Sequence, residues 1–201
     1  MIESKEYSGG INGIPQYQDR KDMWENLTIS HFELNSPAIN EYKSELEKLY
    51  VNGSVKCEMF LLGESEVLDW YVSRNQLKEM LFFWKLWEHP VVNEALKIND
   101  IDEDSNKLFK ESSPFILGGG LAWVLDCGGA YNEPAWEGSK SKELGEKAAL
   151  ELLNDDFDNC VVFEAGGAWC GYFYDVAWDY TWVVLNKSTR MLKVIMATDT
   201  D

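Results

Sequence analysis

The chain has 201 residues, of which 45% are apolar, and it carries 35 acidic against 18 basic side chains, for a formal net charge of −17 at pH 7. This length is enough for one domain with a complete hydrophobic core. No apolar run approaches the roughly 20 residues that cross a bilayer. Such an acidic surface repels nucleic acids and anionic membranes, because proteins bind phosphate groups through lysine and arginine. We expect a single domain over residues 1–201.

The first residues and the cysteines bear on the cellular compartment. Residues 1–6 lack the basic-then-apolar layout of a signal peptide, so a cytoplasmic location is expected. Cys57, Cys127, Cys160 and Cys170 form no C-x-x-C pair and have no histidine beside them, which disfavours a zinc site. Free thiols are the rule in a reducing cytoplasm, although Cys160 and Cys170 could face each other across a hairpin. No cofactor is expected.

The first third of the chain predicts an irregular start, a helix and a strand. Residues 1–35 have weak periodicity and several turn formers, which favours an irregular segment. Ser36 and Pro37 are typical of a helix beginning, and Asn52-Gly53 marks its end. A short strand is predicted over residues 55–62.

The middle of the chain predicts buried helices separated by an acidic loop. Ser73 and Gln76 form a capping-box pattern ahead of an apolar helix over residues 77–87. Residues 98–110 are acidic and polar, as in an exposed loop. The glycine run at 118–120 predicts a buried helix packed closely against its neighbour. An anion site is the alternative, although the lysine of a phosphate-binding loop is missing.

Residues 160–201 predict an antiparallel sheet that follows a last helix capped by Ser141. Gly166-Gly167 suits a tight turn between strands at 161–163 and 169–174.

A second hairpin is predicted around residues 186–189, between strands at 181–185 and 191–197. Strands that follow one another in this way form a meander. The fold class is therefore α+β, with helices mainly in the N-terminal two-thirds packed on a C-terminal antiparallel β-meander.

The last strand makes the register testable. Alternation places Leu192, Val194 and Met196 on one face, which we expect to lie against the apolar helix near Trp84. Lys193 falls on the other face and is expected to be exposed.

Groups suited to catalysis are sparse. His31 lies in the irregular start and His89 at a helix end, and neither stands beside a nucleophile. Carboxylates near the C-terminus are the other candidates, because oxygens converging from neighbouring strands can hold a divalent cation. Asp175, Asp179 and Asp199 are the residues concerned.

Between Lys147 and Lys187 the chain has no basic residue, and aromatic residues are interleaved there with acids. Tyrosine and tryptophan often anchor protein interfaces, and acids around them select a basic partner. The predicted partner surface comprises Glu164, Trp169, Tyr172, Tyr174, Asp175, Trp178, Asp179 and Tyr180.

In general character, a small acidic cytosolic α+β domain without catalytic groups resembles the immunity proteins that bacteria use against basic toxins. The resemblance implies a non-enzymatic domain that sequesters a basic protein such as a nuclease-type toxin, and it involves no diagnostic residue. One alternative hypothesis is a divalent-metal-dependent hydrolase that uses the C-terminal carboxylates. Another is a structural or oligomerising module in which the tail is an edge strand.

Overall fold

An antiparallel sheet forms the centre of the protein in the computed structural model, which describes residues 4–201. Its six strands are β1 (Ile29–Glu33), β2 (Ser54–Leu62), β3 (Lys110–Ser112), β4 (Cys160–Gly166), β5 (Tyr180–Asn186) and β6 (Met191–Thr198). They lie in the order β1-β2-β6-β5-β4-β3. The last three strands are neighbours in chain order and form the predicted meander.

Eight α-helices pack around this sheet within residues 4–201. They are α1 (Tyr17–Asn26), α2 (Pro37–Leu49), α3 (Glu66–Ser73), α4 (Phe82–Glu88), α5 (Pro90–Leu96), α6 (Ser105–Leu108), α7 (Leu117–Cys127) and α8 (Gly138–Leu153). All of them precede β4, so the α+β class predicted from the sequence is confirmed.

Both faces of the sheet are buried. In β6, Leu192, Val194 and Met196 belong to one core cluster, whereas Ile195 and Ala197 belong to a second. The first cluster contains residues of α3, α4 and α5, and the second contains residues of α2, α7 and α8. Because successive side chains of a strand point to opposite faces, an apolar strand such as β6 requires a helical layer on each side.

The prediction of an irregular start over residues 1–35 is wrong for α1 and β1, while residues 1–3 lie outside the described residues. The α1 helix has little apolar periodicity, since Met23 is its one buried residue. Its N-cap residue is Gln16, whose backbone N–H donates to Asp19 Oδ2 at 2.6 Å. Glutamine is not among the preferred capping residues, so the sequence pattern misses this helix.

The apolar segment predicted as one helix over residues 77–87 is interrupted. Residues 77–80 form a 3-10 turn, and Leu81 has a positive φ of 55° before α4 begins. Ser73 ends α3 and does not cap the next helix; the cap of α3 is Ser65, whose hydroxyl accepts from Leu68 N at 3.2 Å.

The predicted strand at residues 169–174 is also wrong. Gly166 pairs directly with Tyr180, so β4 and β5 are joined by the loop of residues 167–179. Trp169 leaves the sheet pattern because its ring stacks on Trp87 in the core, with ring centroids 4.6 Å apart. The second predicted hairpin is confirmed: Asn186 Oδ1 accepts hydrogen bonds from the turn that connects β5 to β6.

The tail is a central strand. Because β6 lies between β2 and β5, the hypothesis of an oligomerising edge strand is not supported by the observed strand order. The edges of this sheet are β1 and β3.

The glycine run lies in α7, and only Gly118 of the run is at the close contact with α8. A side chain at Gly145 of α8 would place its Cβ only 2.5 Å from the Ala122 nitrogen and the Gly118 carbonyl oxygen of α7. The α8 helix begins at Gly138, so Ser141 is not its cap. Ser141 is buried and accepts a hydrogen bond from the Trp136 indole at 2.8 Å.

Lys193 is buried, which corrects the prediction that it is exposed. Only 5% of its surface is accessible, and its Nζ donates to the Glu151 carbonyl at 2.6 Å and to Asn154 Oδ1 at 2.8 Å. Both acceptors lie at the C-terminal end of α8, where a cation is favoured by the helix dipole. Burial lowers the pKa of Lys193 from its ordinary value.

We expect Lys193→Glu to lower the free energy of unfolding by about 2–3 kcal/mol, because it replaces a hydrogen-bonded cation by a carboxylate that faces a carbonyl oxygen. Urea denaturation measures the change. Lys97→Glu is the control, since Lys97 is exposed and should change stability by about 0.5 kcal/mol or less. Equal losses in the two variants would contradict the buried position of Lys193.

Candidate functional site

Two buried carboxylates organise one end of the sheet. Asp199 accepts hydrogen bonds from Asn52 N at 2.9 Å and from Ala130 N at 2.8 Å. Asp179 accepts from Thr198 Oγ1 at 2.5 Å and from the backbone of its own loop. Thr198 and Asp199, two consecutive residues at the end of β6, thereby attach three loops to the sheet: residues 50–53, 128–137 and 167–179.

These contacts limit what Asp179 and Asp199 can do. Their exposed fractions are 1% and 0%, and the oxygens that a metal would need accept hydrogen bonds from the protein itself. Asp175 is exposed. Within residues 4–201, no group of three or more histidine, cysteine or carboxylate side chains is arranged to hold a metal ion.

Several residues of the predicted partner surface are inside the protein. Trp169 is fully buried, and its indole donates to Thr181 Oγ1 at 2.8 Å. Asp179 is buried as described above. Neither can touch a partner, so both assignments are corrected. Tyr172 is partly buried, and its hydroxyl donates to the Ser54 carbonyl at 2.7 Å.

Other predicted residues do reach the surface. Tyr174 is 56% exposed, and the neighbouring Asp175 is exposed with a positive φ of 60°. Trp178 and Tyr180 are partly exposed and pack against the second core cluster. Glu164 is exposed on β4.

The structure adds exposed residues that the sequence pattern did not identify. Trp123 is 57% exposed on α7, and Tyr131 is 64% exposed in the following loop. The sequence predicts a closely packed, buried helix at the glycine run, and Trp123 of that helix is exposed instead. Gly119 and Gly120 lie on the same side of the helix as Trp123, four and three residues before it. The lack of bulky neighbours on that side is the sequence feature that could have indicated the exposure of Trp123.

We call the exposed side chains at this end of the sheet the acidic aromatic end. Its members are Trp123, Asp126, Tyr131, Glu133, Tyr174 and Asp175. The ion pairs found within residues 4–201 include none of its three acids. Each of the three exposed rings therefore lies within three residues in the chain of an acid that forms no ion pair in the described part of the chain.

A cleft of about 460 Å³ adjoins this surface, between α7 and the strands β3 to β5. Lys110, Glu164 and Trp182 lie side by side across the three strands at its base. Trp123 and Tyr180 also line it. Gly120 leaves the space above Trp182 open, since even a Cβ there would lie 3.7 Å from the indole nitrogen.

The aromatic rings of the cleft have a defined geometry. Trp123 and Tyr180 are nearly perpendicular, at 88°, with ring centroids 6.0 Å apart. Tyr180 stacks on Trp182 at 5.7 Å. Burial raises the pKa of Tyr180, with smaller contributions from Cys127 and Asp179, so its phenol stays neutral.

A second cleft, of about 430 Å³, lies between α1 and α4. Its charged side chains are largely paired with each other, as in Lys21–Glu25 at 3.7 Å and Lys85–Glu88 at 2.8 Å. It therefore presents less uncompensated charge than the acidic aromatic end.

Buried thiols predict alkaline sensitivity. Burial raises the pKa of Cys57 to about 12 and of Cys160 and Cys170 to about 11, from an ordinary 9.0. The unfolded chain loses these protons first, so stability is complete below pH 9 and falls as the pH rises toward 11–12. Burial lowers the pKa of Lys56 and Lys193. The effect of these two lysines on stability therefore has the opposite sign and becomes more favourable as the pH rises toward 10.5.

Urea denaturation from about pH 8 to about pH 10.5 should therefore show a falling midpoint, with a shallower fall in Cys57→Ala. The same pH dependence in the wild type and in Cys57→Ala would contradict the burial of the Cys57 thiol.

No protein-family model matches this chain, and a search of curated proteins found none with significant similarity. Among the helices of residues 4–201, none has both the length and the apolar content needed to cross a membrane.

Proposed function

We propose that the protein is a non-enzymatic binding domain whose acidic aromatic end captures a basic protein. The observation that carries this proposal is the exposure of Trp123, Tyr131 and Tyr174, at 57%, 64% and 56%, beside carboxylates without ion-pair partners in residues 4–201. Large rigid aromatic rings supply contact area at little entropic cost, and the unpaired acids favour lysine and arginine on the partner.

The overall charge supports the same proposal. A net charge of −17 attracts a basic protein over a long range and accelerates its encounter. Many cations of this chain pair with acids one helical turn away, such as Lys142 with Glu146 and Lys147 with Glu143. Such pairs neutralise the sides of α8 and leave the acidic aromatic end uncompensated.

The form of this function that we favour is inhibition of a basic toxin, of the immunity type, in the bacterial cytoplasm. Sequestration needs no catalytic group, and the buried positions of Asp179 and Asp199 argue for a structural use of these carboxylates. Because contacts through rigid loops bind a preformed partner surface without large rearrangement, the attached loops 128–137 and 167–179 suit an inhibitor.

The test is capture of partners from the native cells, with identification by mass spectrometry at low and high salt. The wild type should retain a basic protein at low salt and release it at high salt. The double variant Tyr131→Ser, Tyr174→Ser should lose it. Tyr17→Ser is the matched control, since Tyr17 is 72% exposed on α1 and should leave capture unchanged.

Three results would overturn the proposal. They are capture of no partner, capture of a partner that is acidic or insensitive to salt, and equal capture by the double variant and the wild type. Reconstitution with the purified partner then distinguishes direct binding from capture through a third protein, because only direct binding gives a complex from two components.

A further inference from the structure

We infer that two copies of this chain associate through strand β1, edge to edge and antiparallel, in a symmetric dimer. Such a dimer uses the free edge of the sheet and none of the residues of the acidic aromatic end, so it is independent of the proposed function. The tail strand β6 is central and takes no part in it.

The two edges of the sheet differ in their protection against pairing with another strand. Natural edge strands are protected by small length, lysine, proline or bulges. The β3 edge has three residues and includes Lys110. The β1 edge has five residues, pairs with β2 without a bulge, and contains neither lysine nor proline. Residues 30–33 are all exposed, so this edge is open.

The backbone of β1 leaves alternate residues without partners. Thr28 and Gly63 continue the register of β1 and β2, and Gly63 N donates to the Thr28 carbonyl at 2.8 Å. Because hydrogen-bonded and non-hydrogen-bonded pairs alternate in an antiparallel ladder, residues 30 and 32 also bond to β2. Residues 29, 31 and 33 therefore direct their N–H and C=O groups away from the sheet, where no backbone group of residues 4–201 bonds to them.

The side chains of β1 favour one register for a second copy. When the two copies of Phe32 lie opposite each other, residues 31 and 33 form hydrogen-bonded pairs on both sides of the symmetry axis, with about four new backbone hydrogen bonds. His31 of each copy then lies opposite Glu33 of the other. A dimer centred on residue 33 would instead oppose two carboxylates, and one centred on residue 31 would oppose two imidazoles.

The monomer leaves the charge of Glu33 uncompensated. Glu33 lies directly opposite Glu58 of β2, and it forms no ion pair within residues 4–201. His31 binds Glu58 through Nε2, at 2.6 Å from Oε2. A protonated imidazole donates from both nitrogens, so Nδ1 of His31 can bind Glu33 of the second copy. Opposite charges on neighbouring strands stabilise their pairing.

Phe32 supplies the apolar contact of the dimer. It is 44% exposed, and its side chain lies on the face of the sheet opposite to His31. The central pair of the proposed register is a non-hydrogen-bonded pair, in which side chains of neighbouring strands come closest. Two aromatic rings at such a position stabilise an antiparallel pair of strands.

The net charge of −17 weakens association at low salt. At an ionic strength of about 0.15 M, charges more than about 8 Å apart are largely screened, so repulsion between distant parts of the two copies is small. The contact is short, which is typical of weak and transient interfaces. We therefore expect a reversible dimer that forms as the protein concentration rises.

Sedimentation velocity at about pH 6 and about 0.15 M salt measures the association. The weight-average mass of the wild type should rise toward twice the monomer mass between about 5 and about 500 μM protein. Phe32→Ser should weaken the dimer by at least about fivefold. Phe115→Ser is the matched control, because Phe115 is 77% exposed outside β1 and should leave the association unchanged.

An exchange of charges tests the register. Glu33→Lys places two cations opposite each other on both sides of the axis, and His31→Glu places two carboxylates there, so each variant alone should stay monomeric. In an equimolar mixture of the two variants, opposite charges meet at both positions and the dimer should return. Circular dichroism shows whether each variant is folded. If His31→Glu is unfolded, the results for Phe32→Ser and Glu33→Lys decide.

A wild type that stays monomeric up to about 500 μM would overturn the inference, as would equal association of the wild type and Phe32→Ser. A dimer that is unchanged by Glu33→Lys, or a mixture of folded variants that stays monomeric, would overturn it as well. Capture of a basic partner is a separate measurement, so failure of the dimer leaves the proposed function unaffected.

Discussion

Replacing Val194 with aspartate is expected to unfold the protein. Val194 is fully buried on β6, in the core cluster that also contains Phe60 and Leu86. A carboxylate at this position would be surrounded by apolar side chains without a counter-ion. Its burial costs several kcal/mol, which is comparable with the total stability of about 5–15 kcal/mol of a typical domain.

Circular dichroism and urea denaturation measure the effect. The variant should show no cooperative transition, or a midpoint far below that of the wild type. Val51→Asp is the matched control, because Val51 is 51% exposed and the same change there should alter stability by about 0.5 kcal/mol or less. If the two variants unfolded at the same midpoint, Val194 would not lie in the core.

Asp199→Ala is expected to cost about 3 kcal/mol and to loosen the acidic aromatic end. Its two oxygens accept from Asn52 N and Ala130 N, and each hydrogen bond to a charged acceptor contributes about 1.5–3 kcal/mol. Without the carboxylate, two backbone donors lose their partner. The loop that holds Tyr131 also loses its attachment to the sheet.

Urea denaturation gives the loss of stability, and hydrogen exchange of the Ala130 amide reports the loop. Asp201→Ala is the control, since Asp201 is exposed and should leave both measurements unchanged. Slow exchange at Ala130 in the Asp199→Ala protein would contradict the assigned role of this carboxylate, whatever the change in overall stability.

The local patterns that the sequence predicts well are those in which one residue satisfies a backbone requirement. Ser36 caps α2, with its hydroxyl accepting from Ile39 N at 3.3 Å, and Pro37 opens that helix as predicted. Asn186 forms the predicted turn between β5 and β6. Each signal acts within four residues, so it does not depend on the rest of the fold.

The predictions from sequence are wrong where a residue distant in the chain determines the contacts of a side chain. Lys193 follows the strand alternation correctly but meets the end of α8, which lies 39 to 42 residues earlier in the chain. Trp169 has strand-like neighbours but stacks on Trp87. Alternation identifies the face of a strand, whereas the element that covers this face is determined by packing.

The sequence by itself determined the α+β class, the meander of β4 to β6 and the strongly acidic character of the protein. These properties follow from composition and from short-range periodicity. Only the tertiary structure decided that both faces of the sheet are covered, that Asp179 and Asp199 attach loops from the inside, and that Trp123 and Tyr131 are exposed. The physical reason is that burial and hydrogen-bond partners depend on residues far apart in the chain, and no local pattern contains that information.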